Sequence, residues 1–507
     1  MGAPARESYD VIVIGAGLGG LSAAACLAKA GRSVLVIERQ DGPGGNAHAF
    51  RRGAYTIDPA IHVTGQGFGR PFLDFYLAAL GVGEEVELLR AEDAFGVDID
   101  GERFTLPCGV EAIKSYLAEQ FPREADGVTR FIETCAETTR QSQAPPPRVG
   151  IGELDVLRTQ LPMLFAFRRS TLADVLDAHV QDPLAKAVCG AQWPYLGLPP
   201  GRLSFMAFSS AMMAIVDPGP LYVHGSFQSL ADALARCVED HGGEIVLSST
   251  ATAIELTGER VSGVELDGGE HTAAPVVVSN ADARETFGRL LPPEAVPARL
   301  TRRLAKMRPS VSAFVLFSAA KLDPAAAGLS HEHLVYESGD YERIFDGVLA
   351  GSLGGTWLSV PTMHDPSLAP EGEHLVTFSS LMAYDIGEPW TEAKPRYTEL
   401  MIEAVERALP GYRDAITFVD SATPETLQRY TWANQGAAYG WENTPDQTLP
   451  KRLDNSTPIE GLFLAGHWTH PGSGSLRCLF SGAQAAAAAQ GRADPIEFLA
   501  SLTGGGA

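Results

Sequence analysis

Three observations predict an α/β fold with more than one domain. The stretch "VIVIGAGLGGLSAAACLAKA", Val11 to Ala30, changes character twice: a β-branched run to Ile14, glycine-broken backbone from Gly15 to Gly20, then helix formers from Leu21. A second apolar strand, Ser33 to Ile37, follows and ends on an acid, Glu38. At 507 residues the chain outgrows the about 250 to 300 residues over which a single hydrophobic core keeps enlarging.

The first strand, turn and helix can be justified in order. Val11 to Ala28 carries no charge and rivals a membrane span, for which about 20 residues suffice, but its internal order is that of a fold. Glu7 and Asp10 stand where a secretory signal needs positive charge, and no small-residue cleavage site precedes the next strand, so neither a leader nor a span is expected. Gly15, Gly17 and Gly20, with Leu18 and Gly19 between them, satisfy G-x-G-x-x-G. The first glycine of that pattern permits the sharp turn, the second lets a pyrophosphate reach the backbone, and the third lets helix and strand pack closely. The helix N-terminus adds unpaired N–H groups and the positive end of its dipole. Glu38 falls about 20 residues beyond the loop, where a carboxylate binds both hydroxyls of a ribose. Together these features predict a Rossmann-like domain that holds a dinucleotide.

After Glu38, "RQDGPGGNA" brings Arg39 and a second glycine pair, Gly44 and Gly45, then Asn46 and Ala47, placing more backbone beside a phosphate or ribityl chain. At the far end, "GLFLAGHWTHPGSGSLRCLFSGAQAAAAA" reads as a strand from Gly461 to Ala465, a turn at Gly466 and a small-residue helix starting near Ser475. In these two ends the chain resembles the FAD-dependent amine oxidase and phytoene desaturase superfamily. The nearer resemblance is to its carotenoid desaturase, carotenoid isomerase and retinol saturase branch, through "YTIDPAIHVTG" (Tyr55 to Gly65), "VVVSNADARETF" (Val276 to Phe287), "GAAYGWENTPDQT" (Gly436 to Thr448) and "GLFLAG".

The resemblance implies FAD and a Rossmann-like FAD-binding domain of the GR2 flavoprotein type, interleaved with an α+β substrate-binding domain. Because the flavin motifs lie at opposite termini, the FAD domain is expected from 1–75, 221–299 and 436–507, and the substrate domain from 76–220 and 300–435. "GGEIVLSSTATAIELTGERVSGVELDGGE", Gly242 to Glu270, reads as alternating strands and resembles the segment whose backbone touches adenine, with Ala251 at the contact. The remaining cofactor contacts implied are Gly15, Gly17, Leu18, Gly19, Gly20, Glu38, Arg39, Gly44, Gly45, Asn46, Ala47, His62, Gly466, His467, Ser475 and Leu476.

Composition narrows the partners. A net charge of −23 disfavours nucleic acid, whose phosphates need clustered Lys and Arg, and no such cluster is read in the chain. "LPMLFAFRRS", Leu161 to Ser170, is either a buried helix with a basic end or a segment for peripheral membrane contact. "RQSQAPPPRVGIG", Arg140 to Gly152, reads as a loop. Six cysteines without a C-x-x-C pair suit a reducing cytoplasm, and twelve histidines without metal-ligand spacing predict no metal.

The chemistry expected is hydride transfer at flavin N5 to or from a C–C or C=C bond, in a desaturation, saturation or isomerisation. The cofactor carries this chemistry and the protein aligns the substrate. With one G-x-G-x-x-G and no second nucleotide motif, electrons are expected to leave to, or arrive from, an external acceptor or donor. Two residues are catalytic candidates. His62 stands where retinol saturase-like relatives have a histidine and could supply the proton that saturation requires. Arg477, where relatives carry a small residue, either adds positive charge near flavin N1 or forms an outward salt bridge; His467 replaces the relatives' acid. "SFMAFSSAMMAI", Ser204 to Ile215, is tunnel lining or plain core. A polyene, retinoid or other isoprenoid substrate is preferred. An amine oxidase-like activity, with Tyr439 and Trp468 in an aromatic cage, is the second reading, and a non-catalytic prenyl-binding escort the third. The intact glycines and Glu38 favour an enzyme.

Overall fold

The computed structural model describes residues 4–503 apart from 68, 70, 144–157, 218, 449 and 450. Its first layer is a five-stranded parallel sheet. The elements around it are β1 (Val11–Ile14), α1 (Leu18–Lys29), β2 (Val34–Ile37), α2 (Phe227–Asp240), β3 (Glu244–Val246), β4 (Val277–Ser279), β5 (Leu462–Leu464) and α3 (Ser475–Ala489). The strand order is β5-β4-β1-β2-β3, with every neighbouring pair parallel.

Such a sheet needs both faces covered, which is why its strands are continuous apolar runs. Val11, Val13, Val34 and Val36 face a core shared with α1, α2 and α3. Ile12, Ile14, Leu35 and Ile37 face the opposite core, under a three-stranded antiparallel sheet of Ala251–Thr257, Arg260–Leu266 and His271–Ala273. The segment from Gly242 to Glu270 therefore splits: its first strand, β3, joins the parallel sheet, and only the later ones form the hairpin. Small residues let α3 lie against α1. Ser22 Oγ donates to the Leu479 carbonyl at 2.6 Å, and a Cβ on Gly482 would come within 2.3 Å of the Gly19 carbonyl.

The second layer is a seven-stranded mixed sheet. Its order is Ile416–Ala422, Ser312–Ala320, His374–Met382, Gly354–Ser359, Glu332–Tyr336, Asp93–Ile99 and Glu102–Pro107. Only the Glu332–Tyr336 and Asp93–Ile99 pair is parallel. Helices between 110 and 216 pack on it, among them Phe205–Val216.

Three expectations change. The helix Pro162–Phe167 buries none of its residues, so "LPMLFAFRRS" is not a buried helix with a basic end; Arg168 lies over the Phe165 ring at 4.0 Å. Basic residues do cluster locally: the helix Ala298–Lys306 carries Arg299, Arg302, Arg303 and Lys306, three of them exposed. The loop expected from Arg140 begins later, since the helix Ala125–Ser142 runs into it and Gln143 caps that helix, and residues 144–152 lie outside the described residues. All six cysteines are free.

Candidate functional site

The carboxyl ends of β1, β2, β4 and β5 open onto one cavity of about 1410 Å³. Its floor is the glycine turn. Gly15 takes φ +92° and donates its N–H to the Ile37 carbonyl at 2.8 Å, tying the turn to the end of β2. The second glycine pair is folded against this turn. Gly44 N–H donates to the Ala16 carbonyl at 2.8 Å, and a Cβ on Gly45 would lie 2.9 Å from Gly17 Cα.

Every residue singled out for the cofactor lines the cavity except Gly20. Gly20 is buried under the turn, and a Cβ there would sit 2.0 Å from the Gly15 carbonyl oxygen. Its place is the close contact of helix and strand, not the ligand. Gly17 lines the cavity, but a Cβ on it would meet the amide of Asn280 at 2.7 Å. Asn280 falls within "VVVSNADARETF", where no motif spacing gives it a role. Its N–H donates to the Ile14 carbonyl at 2.8 Å, and its side chain fills the space that Cβ atoms on Gly17, Gly19 and Gly466 would enter.

Glu38 is 8% exposed. Its carboxylate accepts Ala16 N–H at 2.7 Å and Gln40 N–H at 2.8 Å. These bonds fix the carboxylate at the cavity edge and leave lone pairs for a diol. Arg39 is committed to the wall: it donates to the Arg429 and Tyr430 carbonyls and lies 4.4 Å over the Trp432 ring. Ala251 starts its strand beside Ser249 and Thr250 on the adjacent wall.

At the other end the N-terminus of α3 points at the cavity. Ser475 Oγ donates to Thr64 Oγ1 at 2.8 Å, and Leu476 and Arg477 line the cavity beyond it. Arg477 turns inward, donates to the Ala207 carbonyl at 3.2 Å and forms no ion pair among the described residues, which overturns the outward salt bridge. Burial pulls its guanidinium down to about 10. Behind it lies an arginine that the sequence did not reveal. Arg452 is 1% exposed and donates to the carbonyls of Tyr439, Trp441 and His467, again without an acid. Burial and then Arg477 pull it down to about 9. His467 is pushed down to about 4 by burial and then by Arg452, so it is neutral at pH 7.

A third wall is aromatic. His62, Tyr195 and Trp357 line the cavity with ring centroids 5.5 to 5.7 Å apart. Trp357 Nε1–H donates to His62 Nε2 at 3.0 Å, and His62 Nδ1 is buried 2.7 Å from Glu332 Oε2 without an aligned hydrogen bond. Both nitrogens of His62 are thus turned to the protein, so direct proton donation to a substrate requires one of these contacts to open.

Residues that fit a flavin dinucleotide are therefore in place: a pyrophosphate turn, a ribose acid, a helix N-terminus and a buried hydroxyl, Ser473 Oγ, that has no partner and faces the cavity. The volume exceeds the about 300 to 1,000 Å³ of an ordinary ligand pocket, leaving room for a second molecule. Residues 18–490 match the family described as flavin containing amine oxidoreductase. The chain belongs to that family. It is a flavin-dependent oxidoreductase, and the dinucleotide cradle makes its cofactor FAD.

This flavoprotein is 28% identical over 488 residues to a neurosporene-forming phytoene desaturase of Rhodobacter capsulatus, covering 93% of the chain and 92% of that protein. It is 27% identical over 502 residues to the chloroplastic prolycopene isomerase 1 of an Oncidium hybrid cultivar (95% and 83%). It is 24% identical over 508 residues to the all-trans-retinol 13,14-reductase of Danio rerio (91% and 82%). In fold it is similar to the cyclohexylamine oxidase of Brevibacterium oxydans, at TM-score 0.60 and 18% identity over 95% of the chain and 98% of that structure. An oxidoreductase of Methanosarcina mazei gives TM-score 0.63 at 19% identity over 93% and 98%. Among the described residues no helix is long and apolar enough to cross a membrane.

Proposed function

We propose that this flavoprotein acts on C–C or C=C bonds of a hydrophobic polyene or isoprenoid-type substrate, in a desaturation, saturation or isomerisation. One observation carries the reading: the cavity continues past the cofactor cradle along one face of the Phe205–Val216 helix. Met206, Ala207, Ala211, Ala214 and Ile215 line it, with Phe72 and Phe75 nearby. The other face of that helix, Phe205, Phe208, Met213 and Val216, is core. Helical spacing thus makes "SFMAFSSAMMAI" both tunnel lining and core. The relatives named for phytoene desaturation, prolycopene isomerisation and retinol reduction support the same class.

When bound, FAD supplies the hydride acceptor or donor. The chain's own part is placement and charge. Glu38 anchors the ribose, and the α3 N-terminus and Arg477 favour negative charge on the flavin. The apolar helix face aligns the substrate and excludes water. In this reading the FAD domain comprises 1–75, 221–299 and 436–507, the substrate domain 76–220 and 300–435, and electrons pass to or from an external partner.

The amine oxidase-like reading draws on Tyr439 and Trp468, which line the cavity. Trp468, however, packs edge-on against Trp441 at 4.8 Å and is 3% exposed, so it offers little ring face to an amine. Anaerobic incubation of the yellow holoenzyme with carotenoids, retinoids and amines separates the two readings. Bleaching of the flavin band by a polyene, or reoxidation of the chemically reduced enzyme by one, is the expected result. Bleaching by amines alone overturns the proposal.

A further inference from the structure

We propose that Arg477, with Arg452 behind it and Ser473 in the segment that leads into α3, forms a subsite for the carboxylate head of a long-chain isoprenoid acid whose tail lies along the Phe205–Val216 helix. The inference rests on the hydrophobic-cavity reading above and adds the head group that the substrate carries.

Arg477 lies in the first turn of α3 and lines the cavity. Its contact with the Ala207 carbonyl at 3.2 Å leaves most of the guanidinium N–H groups for another acceptor. Arg452, 1% exposed, commits its terminal nitrogens to the Asn443 side chain and to the Tyr439, Trp441 and His467 carbonyls, and its Nε has no partner. Neither arginine forms an ion pair among the described residues. The acids that line the same cavity, Glu38, Asp41, Asp282, Glu285 and Asp494, pair with neither of them. Burial pulls the two guanidiniums down to about 10 and about 9, yet both stay charged at pH 7.

Two buried positive charges without an acid are costly. The cofactor does not balance them, because its pyrophosphate is expected at the glycine turn on the opposite side of the cavity and the oxidised flavin ring is neutral. A second molecule that carries an anion does. Arg452 is closed off behind its carbonyls and adds charge without a free fork, so one planar guanidinium is left to bond the ligand. That geometry suits a carboxylate, which an arginine can hold through two parallel bonds. Ser473 is 5% exposed, and its unpartnered hydroxyl faces the cavity as a further donor. The carbonyl that Arg477 holds belongs to the helix whose cavity face carries Ala207, Ala211 and Ala214, spaced by four and three residues. An acid bound at Arg477 therefore enters that apolar face with its chain.

The test uses farnesoic acid and its neutral methyl ester, bound to purified oxidised holoenzyme at pH 8 and followed by equilibrium dialysis and the flavin difference spectrum. Bonds to a charged group make the acid bind about tenfold or more tighter than the ester. The chain's net charge of −23 repels any acid, so high salt, which screens that repulsion, should leave the preference intact or enlarge it. Arg477→Met should abolish the preference and leave methyl farnesoate affinity unchanged, while Arg477→Lys should keep part of it, since the charge stays and the fork is lost. Equal affinities for acid and ester in the wild-type protein, or tighter binding of the ester, overturn the subsite without needing a variant. A preference that Arg477→Met retains overturns the role of Arg477, and acetate bound as tightly as farnesoic acid would reduce the site to one for simple anions. Failure of both acid and ester to bind would instead sink the hydrophobic-cavity reading.

Discussion

The Glu38 carboxylate accepts the backbone N–H of Ala16, inside the glycine turn, at 2.7 Å. The acid expected to grip a ribose thus also closes the turn expected to receive a pyrophosphate, so the two halves of the cradle are one hydrogen-bonded unit. Glu38→Ala should lose the charge-assisted bonds to the diol and loosen the turn together. Charge-assisted bonds contribute about 1.5 to 3 kcal/mol, so FAD should bind roughly 10- to 150-fold more weakly. Titration of apoprotein with FAD measures this, and an unchanged dissociation constant would place Glu38 away from the cofactor.

Gly20 and Gly17 should fail in different ways when a methyl is added. A Cβ on Gly20 meets the Gly15 carbonyl at 2.0 Å, backbone against backbone, and the turn must move. Overpacking of this kind typically destabilises by about 1 to 3 kcal/mol, so Gly20→Ala apoprotein should melt lower than wild type. A Cβ on Gly17 meets only the Asn280 amide, a side chain that can swing away. Gly17→Ala should keep the apoprotein Tm but retain less FAD, and Gly17→Val should be isolated colourless. Equal loss of Tm in both alanine variants would contradict the division of labour.

What the sequence made legible was local. The glycine turn, Glu38, the second glycine pair and the helix at Ser475 each lie within one short segment, where spacing alone fixes geometry. The aromatic wall was not legible, because Tyr195 and Glu332 are 137 residues apart and His62 and Trp357 are 295 apart. Only the sheet and the cavity bring them together. A weak signal existed: an acid inside "HEHLVY", a strand whose residues are otherwise almost all buried. Arg452 gave none, since a buried arginine that bonds only carbonyls and an amide has no sequence partner to pair with. Of the two readings of the segment at Leu161, the buried helix fails because apolar content does not by itself give burial: Met163, Leu164, Phe165 and Phe167 are only half-buried, with Phe167 against the Phe205 ring.

Asp58 gives a pH dependence with a definite sign. It is buried, accepts the Tyr222 hydroxyl and Phe227 N–H, and burial lifts its carboxyl to about 7 against an ordinary 3.8. A raised acid pKa means that the folded state holds a proton the unfolded state has released. Its contribution to stability is therefore fully present below about pH 4 and is lost as pH rises through 7. Asp58→Asn keeps an acceptor for Phe227 and cannot ionise. Relative to wild type, the variant should gain about 2 to 3 kcal/mol of stability between pH 5 and pH 8. Denaturant unfolding of both proteins at the two pH values reads the difference directly, and parallel stability curves would show that Asp58 does not titrate in this window.

Arg477 offers a prediction on potential that does not depend on the substrate. It reaches into the cavity from the first turn of α3, has no acid partner among the described residues, and donates to the Ala207 carbonyl at 3.2 Å. With FAD bound, a fixed positive charge at this wall favours the anionic reduced flavin over the neutral oxidised one. Removing it must lower the midpoint potential. For the two-electron couple about 30 mV corresponds to about 1.4 kcal/mol, a reasonable size for one partly screened charge, so Arg477→Met should shift the midpoint downward by some tens of millivolts. The fold should tolerate the change, because methionine fills most of the same volume and frees only one carbonyl. Arg452 makes the contrast: it holds three backbone carbonyls, so Arg452→Met should lower Tm as well as potential. An Arg477→Met enzyme with an unaltered midpoint would leave the α3 N-terminus and Arg452 as the electrostatic support of reduced flavin, and would confine Arg477 to tying α3 to the Phe205–Val216 helix.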